Sequence, residues 1–107
     1  MRSSTRGYSR TGRVVVDDTG AILAGLPLSL PLKQYTTPLV IKEVKDRESR
    51  SVLEKGLELG RLEVMSPPEA FLEMAKRVAR SAGTLGRLSE TDLEIVALAL
   101  YLREEGY

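Results

Sequence analysis

The sequence contains neither cysteine nor histidine. The first absence excludes disulfides, thiolate zinc sites and thiol nucleophiles. The second excludes a Ser-His-Asp relay, imidazole acid–base catalysis and imidazole metal ligands. Tryptophan is also missing, and the aromatic residues amount to one Phe and four Tyr. No stretch is apolar for the roughly 18 residues that a transmembrane helix needs, so none is expected. The N-terminus lacks the apolar core of a signal peptide, which makes the cytoplasm the expected location. The groups left for catalysis are carboxylates, lysines, arginines, tyrosines and hydroxyls. An enzyme built from these would most naturally work through a hard cation held by carboxylates.

What is present suits one globular domain. At 107 residues the chain is too short for two domains and long enough for a core of its own. Charge is unevenly placed. Of the 16 basic side chains, four (Arg2, Arg6, Arg10 and Arg13) stand in the first 13 residues, which hold no acid. The remainder carries 12 basic against 15 acidic side chains. Residues 1–12 are polar and without periodicity, and read as a flexible basic tail. Such a tail is either an unstructured terminus or an arm for RNA phosphates. The domain is expected over residues 13–107.

Val14-Val15-Val16 is a β-branched run without alternation, which predicts a strand buried on both faces. It ends at Asp17-Asp18-Thr19-Gly20, and a short helix follows over Thr19 to Ala24. Residues 26–32 are rich in Leu and Pro and read as irregular. Lys33 to Thr36 reads as a second strand. Thr37-Pro38 is a helix start, with Thr as N-cap and Pro at the first helical position, and the helix is expected to reach about Asp46. A further helix spans Glu48 to Leu59, with Val52, Leu53, Gly56 and Leu57 inward and Gly60 as its stop. Leu62 to Met65 reads as a strand. Ser66-Pro67-Pro68-Glu69 reads as a capping box opening a helix that buries Phe71, Ala75, Val78 and Ala82 and ends at Gly83. Residues Gly83 to Leu88 form a loop. Ser89-Glu90-Thr91-Asp92 opens the last helix, whose Leu93 to Leu102 stretch is apolar almost all round and so is buried on several sides. Strands alternating with helices predict an α/β fold with a parallel sheet and helices on both faces.

Such a fold places its ligands outside the carboxyl ends of the strands, and four acids are candidates for that crevice. Asp17 and Asp18 close the first strand, and alternation sends only one of them to the crevice. Both also suit a turn. Glu43 lies on the helix after the second strand; alternatively it is a solvated acid pairing with Lys42 or Lys45. Asp92 stands three residues after Ser89, where it completes a capping box and also favours the positive helix end. Three such carboxylates in one crevice repel one another, by about 4 kcal/mol per pair at 4 Å and an effective dielectric near 20. A cation or raised pKa values would be needed to hold them together. Mg²⁺ or Mn²⁺ suits oxygen ligands, and the matching chemistry is phosphodiester hydrolysis. Lys76, Arg77, Arg80 and Arg87 either form a basic patch between the last two helices or are ordinary solvated charges.

The segment from Val14 through Asp17-Asp18-Thr19-Gly20-Ala21 to Leu23 resembles the opening strand and Asp-Thr/Ser-x-Ala signature of PIN domains. Tyr35-Thr36-Thr37-Pro38-Leu39-Val40-Ile41-Lys42-Glu43 resembles the family's Thr-Pro-x-Val-x-x-Glu segment. Leu88-Ser89-Glu90-Thr91-Asp92 resembles its Leu-Ser-x-x-Asp helix start. The wording is most similar to the archaeal Nob-type branch, whose members mature the 3′ end of small-subunit ribosomal RNA. The resemblance covers residues 13 to about 105. It implies a three-layer α/β/α endoribonuclease domain that needs Mg²⁺ or Mn²⁺, with Asp18, Glu43 and Asp92 as catalytic and metal-holding acids and Asp17 as an extra. It further implies RNA, pre-rRNA in particular, as substrate and the small ribosomal subunit precursor as partner, with no membrane association. PIN domains also draw a fourth acid from a strand after the Asp92 helix, and Nob-type proteins carry a zinc ribbon; neither is within this sequence. That strand would lie beside the first one, so Val14 to Val16 is expected to present an open sheet edge and to favour association with a second copy or another partner. Other readings are a toxin-type PIN ribonuclease paired with an antitoxin, a non-catalytic binding module, and an unrelated α/β domain.

Overall fold

The computed structural model describes residues 14–107, so the basic segment expected over residues 1–12 lies outside the described residues. Three short strands form a parallel sheet in the order β1 (Val14–Val16), β2 (Lys33–Thr36), β3 (Leu62–Val64). Val16 stands beside Tyr35, and Gln34 beside Leu62. The helices α1 (Thr19–Leu23) and α2 (Leu26–Ser29) join the first two strands, and α3 (Pro38–Glu43) and α4 (Arg47–Glu58) join the second pair. After β3 come α5 (Glu69–Ser81), a 3₁₀ turn (Leu85–Arg87) and α6 (Glu90–Glu104). This is the mixed α/β architecture expected from the alternation of strands and helices.

The register sends Val14, Val16 and Tyr35 to one face, where they pack with Leu98 and Leu102 of α6. Leu62, in register with Gln34, points to the other face and packs with Ile22, Val40, Val44 and Leu53. The expectation that β1 is buried on both faces is corrected: Val14, Val15 and Val16 are each half-buried, because β1 stands at the edge of the described sheet. The apolar circumference of α6 comes from packing on two sides. Leu98 and Leu102 lie on the sheet, while Leu93 and Ala97 meet Ala75 and Ala79 of α5. Within the described residues, β1 pairs only with β2 and forms one edge of the sheet.

Several local expectations are corrected. Residues 26–32 are not wholly irregular, because Leu26–Ser29 is α2. Gly25 turns at φ 82°, a left-handed conformation open to glycine, and Pro27 then starts a new turn instead of ending the old one. The α3 helix stops at Glu43 rather than near Asp46. Val44 is extended and buried, and Asp46 instead caps α4 by accepting from the Ser49 amide at 2.9 Å. Ser66 does not cap α5, which begins after Pro68 with no side-chain cap. The pair Pro67-Pro68 holds the preceding backbone extended, so the helix cannot start sooner. On α5 the inward face is Phe71, Leu72, Ala75 and Ala79. Val78 is 52% exposed and Ala82 is exposed, because α6 lies along the Ala75–Ala79 stripe, one position further round than expected. On α4, Leu53 and Gly56 are buried as expected, but Leu57 is 39% exposed.

Candidate active site

The site is assembled where three helix ends meet beyond the carboxyl end of the sheet. Asp17 and Asp18 take opposite environments there. The Asp17 amide donates to the Tyr35 carbonyl at 2.7 Å, and its own carbonyl accepts from Thr36 Oγ1 at 2.7 Å. That pinning extends the strand by one residue and turns the Asp17 side chain inward, where it is fully buried and neither carboxylate oxygen has a hydrogen-bond partner. Burial, and then the Asp18 charge, push its carboxyl up to about 6. Asp18 is exposed and is the N-cap of α1, its Oδ1 accepting from the Ala21 amide at 2.8 Å. Of the two, Asp18 is thus the exposed one, and it stands next to Thr19, which lines the cleft at Glu43.

Glu43 ends α3. Its Oε1 accepts from Thr19 Oγ1 at 2.8 Å and its Oε2 from Thr91 Oγ1 at 2.6 Å. These bonds hold its carboxyl below the usual range, in the order Thr91 then Thr19, although burial and the Asp92 charge oppose them. The alternative reading of Glu43, a surface ion pair with Lys42 or Lys45, is not what the structure holds; among the described residues it makes no ion pair. Thr19 directly follows Asp18 and Thr91 directly precedes Asp92, so Glu43 ties the two helix starts that carry the other acids. Asp92 completes the expected capping box. Its Oδ2 accepts from the Ser89 amide at 3.0 Å while Ser89 Oγ accepts from the Asp92 amide at 3.0 Å.

Two supports were not foreseen. Arg50 Nη1 donates to the Ile41 and Val44 carbonyls, each at 3.1 Å, and so satisfies the end of α3 on either side of Glu43. Glu94 Oε1 accepts from the Leu39 amide at 3.1 Å and fixes the start of the same helix against α6. No sequence spacing marks these partners; only the positions of Thr19 and Thr91 beside the acids gave a signal. An open cleft of about 630 Å³ lies here, lined by Glu43, Thr19, Thr91 and Glu90 and flanked by Lys42 and Lys45.

The donor chemistry fits a hard divalent cation, since every group offered is a carboxylate or hydroxyl oxygen. The placement is looser than an ion cage. Among the described residues no three acids stand within joint reach of one ion, and both oxygens of Glu43 are given to threonines.

Residues 14–102 match the family model described as the PIN domain of ribonuclease. The chain is 53% identical to Ribonuclease VapC3 of Aeropyrum pernix, over 99% of its own length and 77% of that protein. It is 41% identical to Endoribonuclease Nob1 of Pyrococcus abyssi, over 85% of this chain and 54% of that one. Its identity to the 20S-pre-rRNA D-site endonuclease NOB1 of Saccharomyces cerevisiae is 38%, over 64% of this chain and 15% of that protein. The chain therefore spans about half or less of these two Nob1 relatives. A match across both faces of the sheet and all three acid-bearing helix ends leads to one conclusion: the chain belongs to the PIN-domain ribonuclease family.

Proposed function

We propose that this chain is a metal-dependent endoribonuclease that cuts single-stranded RNA, with Asp18, Glu43 and Asp92 as the acids that would hold Mg²⁺ or Mn²⁺ once drawn closer together than they stand in this structure. The observation that carries the reading is the double hydrogen bond of Glu43 to Thr19 and Thr91, which draws three acid-bearing elements to one corner. The chemistry supplied by such an ion is activation of water and neutralisation of charge on the phosphate. The chain's own residues do the rest. Glu43 stays ionised because two hydroxyls donate to it. Asp18 and Asp92 present carboxylates at helix starts, where backbone amides favour negative charge. Lys42 and Lys45 flank the cleft and can hold the phosphates on either side of the bond to be cut.

The finer assignment is maturation of the small-subunit rRNA 3′ end on the subunit precursor, in the cytoplasm. It draws support from the relatives named for Nob1 and for 20S pre-rRNA cleavage. No helix among the described residues is long and apolar enough to cross a membrane. The open β1 edge is the surface through which a second copy would associate. A second reading, a toxin-type ribonuclease paired with an antitoxin, draws on the relative named Ribonuclease VapC3.

The test is cleavage of labelled single-stranded RNA and of precursor small-subunit rRNA, with and without Mn²⁺, beside Asp92→Asn. Metal-dependent cutting at the rRNA 3′ end, lost in the variant, supports the full assignment. Metal-dependent cutting of other RNAs alone supports the second reading. A folded protein that cuts nothing refutes the nuclease reading and leaves the non-catalytic binding module.

A further inference from the structure

The cleft at Glu43 has a second cavity beside it, since Leu39 and Glu90 line both. This neighbour is more enclosed, has a volume of about 310 Å³ and is otherwise lined by Leu72, Lys76, Leu93 and Glu94. That volume is at the small end of ligand pockets, which run from about 300 to 1,000 Å³. Its leucines come from three different helices, α3, α5 and α6, so the pocket exists only where those helices meet. Its polar groups are of two kinds. Glu90 and Glu94 are acceptors only, and Glu94 is held in place through its bond from the Leu39 amide at 3.1 Å. Lys76 is a donor only, and its contact to Glu73 is a half-exposed pair at 3.6 Å, one turn apart, that leaves the ammonium free to move.

We propose that this cavity is a nucleobase subsite, that it takes the base next to the scissile phosphate, and that guanine is the base it prefers. The inference rests on the endoribonuclease reading of the adjoining cleft. The leucines offer apolar surface to the flat faces of a base. Guanine gives the carboxylates two donors, its ring N1–H and its exocyclic amine, and gives Lys76 the O6 and N7 acceptors that lysine reads in nucleic acids. Uracil offers the carboxylates a single N–H, and adenine has no exocyclic oxygen for the lysine. None of the pocket's leucines or charged groups is among the acids assigned to the ion, so base choice and bond breaking are separable.

The experiment is a titration of the full chain with GMP and, separately, UMP in EDTA, followed through the methyl resonances of Leu39, Leu72 and Leu93. GMP is expected to shift these methyls and to bind about tenfold more tightly than UMP, the discrimination of one good polar base contact. Lys76→Met, at a half-exposed position, is expected to weaken GMP binding about tenfold, because O6 and N7 lose their donor. Equal affinities in the wild type, unmoved leucines, or an unchanged Lys76→Met titration would overturn the proposal. A companion assay sequences the ends produced from a random RNA pool in Mn²⁺. Guanosine enriched at one position beside the cut supports the subsite, and cutting with no base preference overturns it. Selective GMP binding in a protein that cuts no RNA refutes the nuclease reading while upholding the pocket.

Discussion

Gly56 offers a prediction in which two known effects oppose each other. It lies inside α4, buried against α2 and β3. A Cβ added there would stand 2.9 Å from Pro27 Cβ and 3.3 Å from Leu62 Cβ, with Leu62 Cδ2 at 3.7 Å. Comfortable carbon contacts begin at about 3.5 Å. Neither of the two close neighbours can swing aside, because each is a Cβ fixed to its own backbone, one in a fully buried proline and the other on the sheet. The helix must therefore move, at a cost of about 1–3 kcal/mol for overpacking. Against this, replacing a mid-helix glycine by alanine gains about 1 kcal/mol in propensity. The net expectation for Gly56→Ala is a loss of about 1 kcal/mol, equivalent to a Tm lower by about 4–8 °C in a domain of this size. Thermal and urea unfolding followed by circular dichroism would read it. Gly86→Ala is the control, because a Cβ there meets nothing within 4 Å. A Gly56→Ala protein as stable as the parent, or more so, would show that the close approach of α4 to Pro27 and Leu62 is not a packing constraint.

Other outcomes follow from the site. Asp17 is fully buried with its carboxyl pushed up to about 6, so between its ordinary value of 3.8 and about 6 the folded state holds more protons than the unfolded. Stability should therefore fall as pH rises through that window, by at most about 3 kcal/mol, and Asp17→Asn should flatten the slope in EDTA; an unchanged slope would contradict the burial of an unpartnered carboxylate. Glu43 behaves oppositely. Its carboxyl is lowered, so its contribution is present above the usual carboxylate range and is lost as pH falls through the folded value, a loss that Thr91→Val should reduce. Asp92→Asn keeps an oxygen to accept from the Ser89 amide, so it should abolish metal-dependent cutting with little change in Tm, whereas Ser89→Ala should cost about 1 kcal/mol of stability. Loss of both fold and activity in Asp92→Asn would make that residue a cap alone. Size measurement by light scattering should show association through the β1 edge, and a monomer at high concentration would count against it.

Features decided within a few residues were legible in the sequence. The β-branched run of β1, the Thr37-Pro38 start, the Ser89–Asp92 capping box and the glycine stops at Gly60 and Gly83 each have a local cause, and each is present. The motif order marked Asp18, Glu43 and Asp92, and the structure has Asp18 and Asp92 at helix starts beside the two threonines that bond Glu43. Illegible were the features set by partners distant in the chain. The burial of Asp17 depends on Tyr35 and Thr36, which extend β1 by one residue. The inward face of α5 depends on where α6 lies, so periodicity alone pointed to Val78 and Ala82. The threonines on Glu43 and the Arg50 contact to the end of α3 are side-chain choices that only the assembled corner determines.

The hydrogen bonds that hold Glu43 reach 24 residues back to Thr19 and 48 forward to Thr91. Neither loop closes through local helix formation, so the corner forms only after the sheet and α6 have come together. A chain still emerging from synthesis, with β1 to β3 made and α6 unfinished, carries Asp18 and Glu43 but no assembled cleft. For a protein whose trade is breaking RNA, that order of events is a safeguard: competence to cut arrives only once α6 has docked and the core it completes is closed.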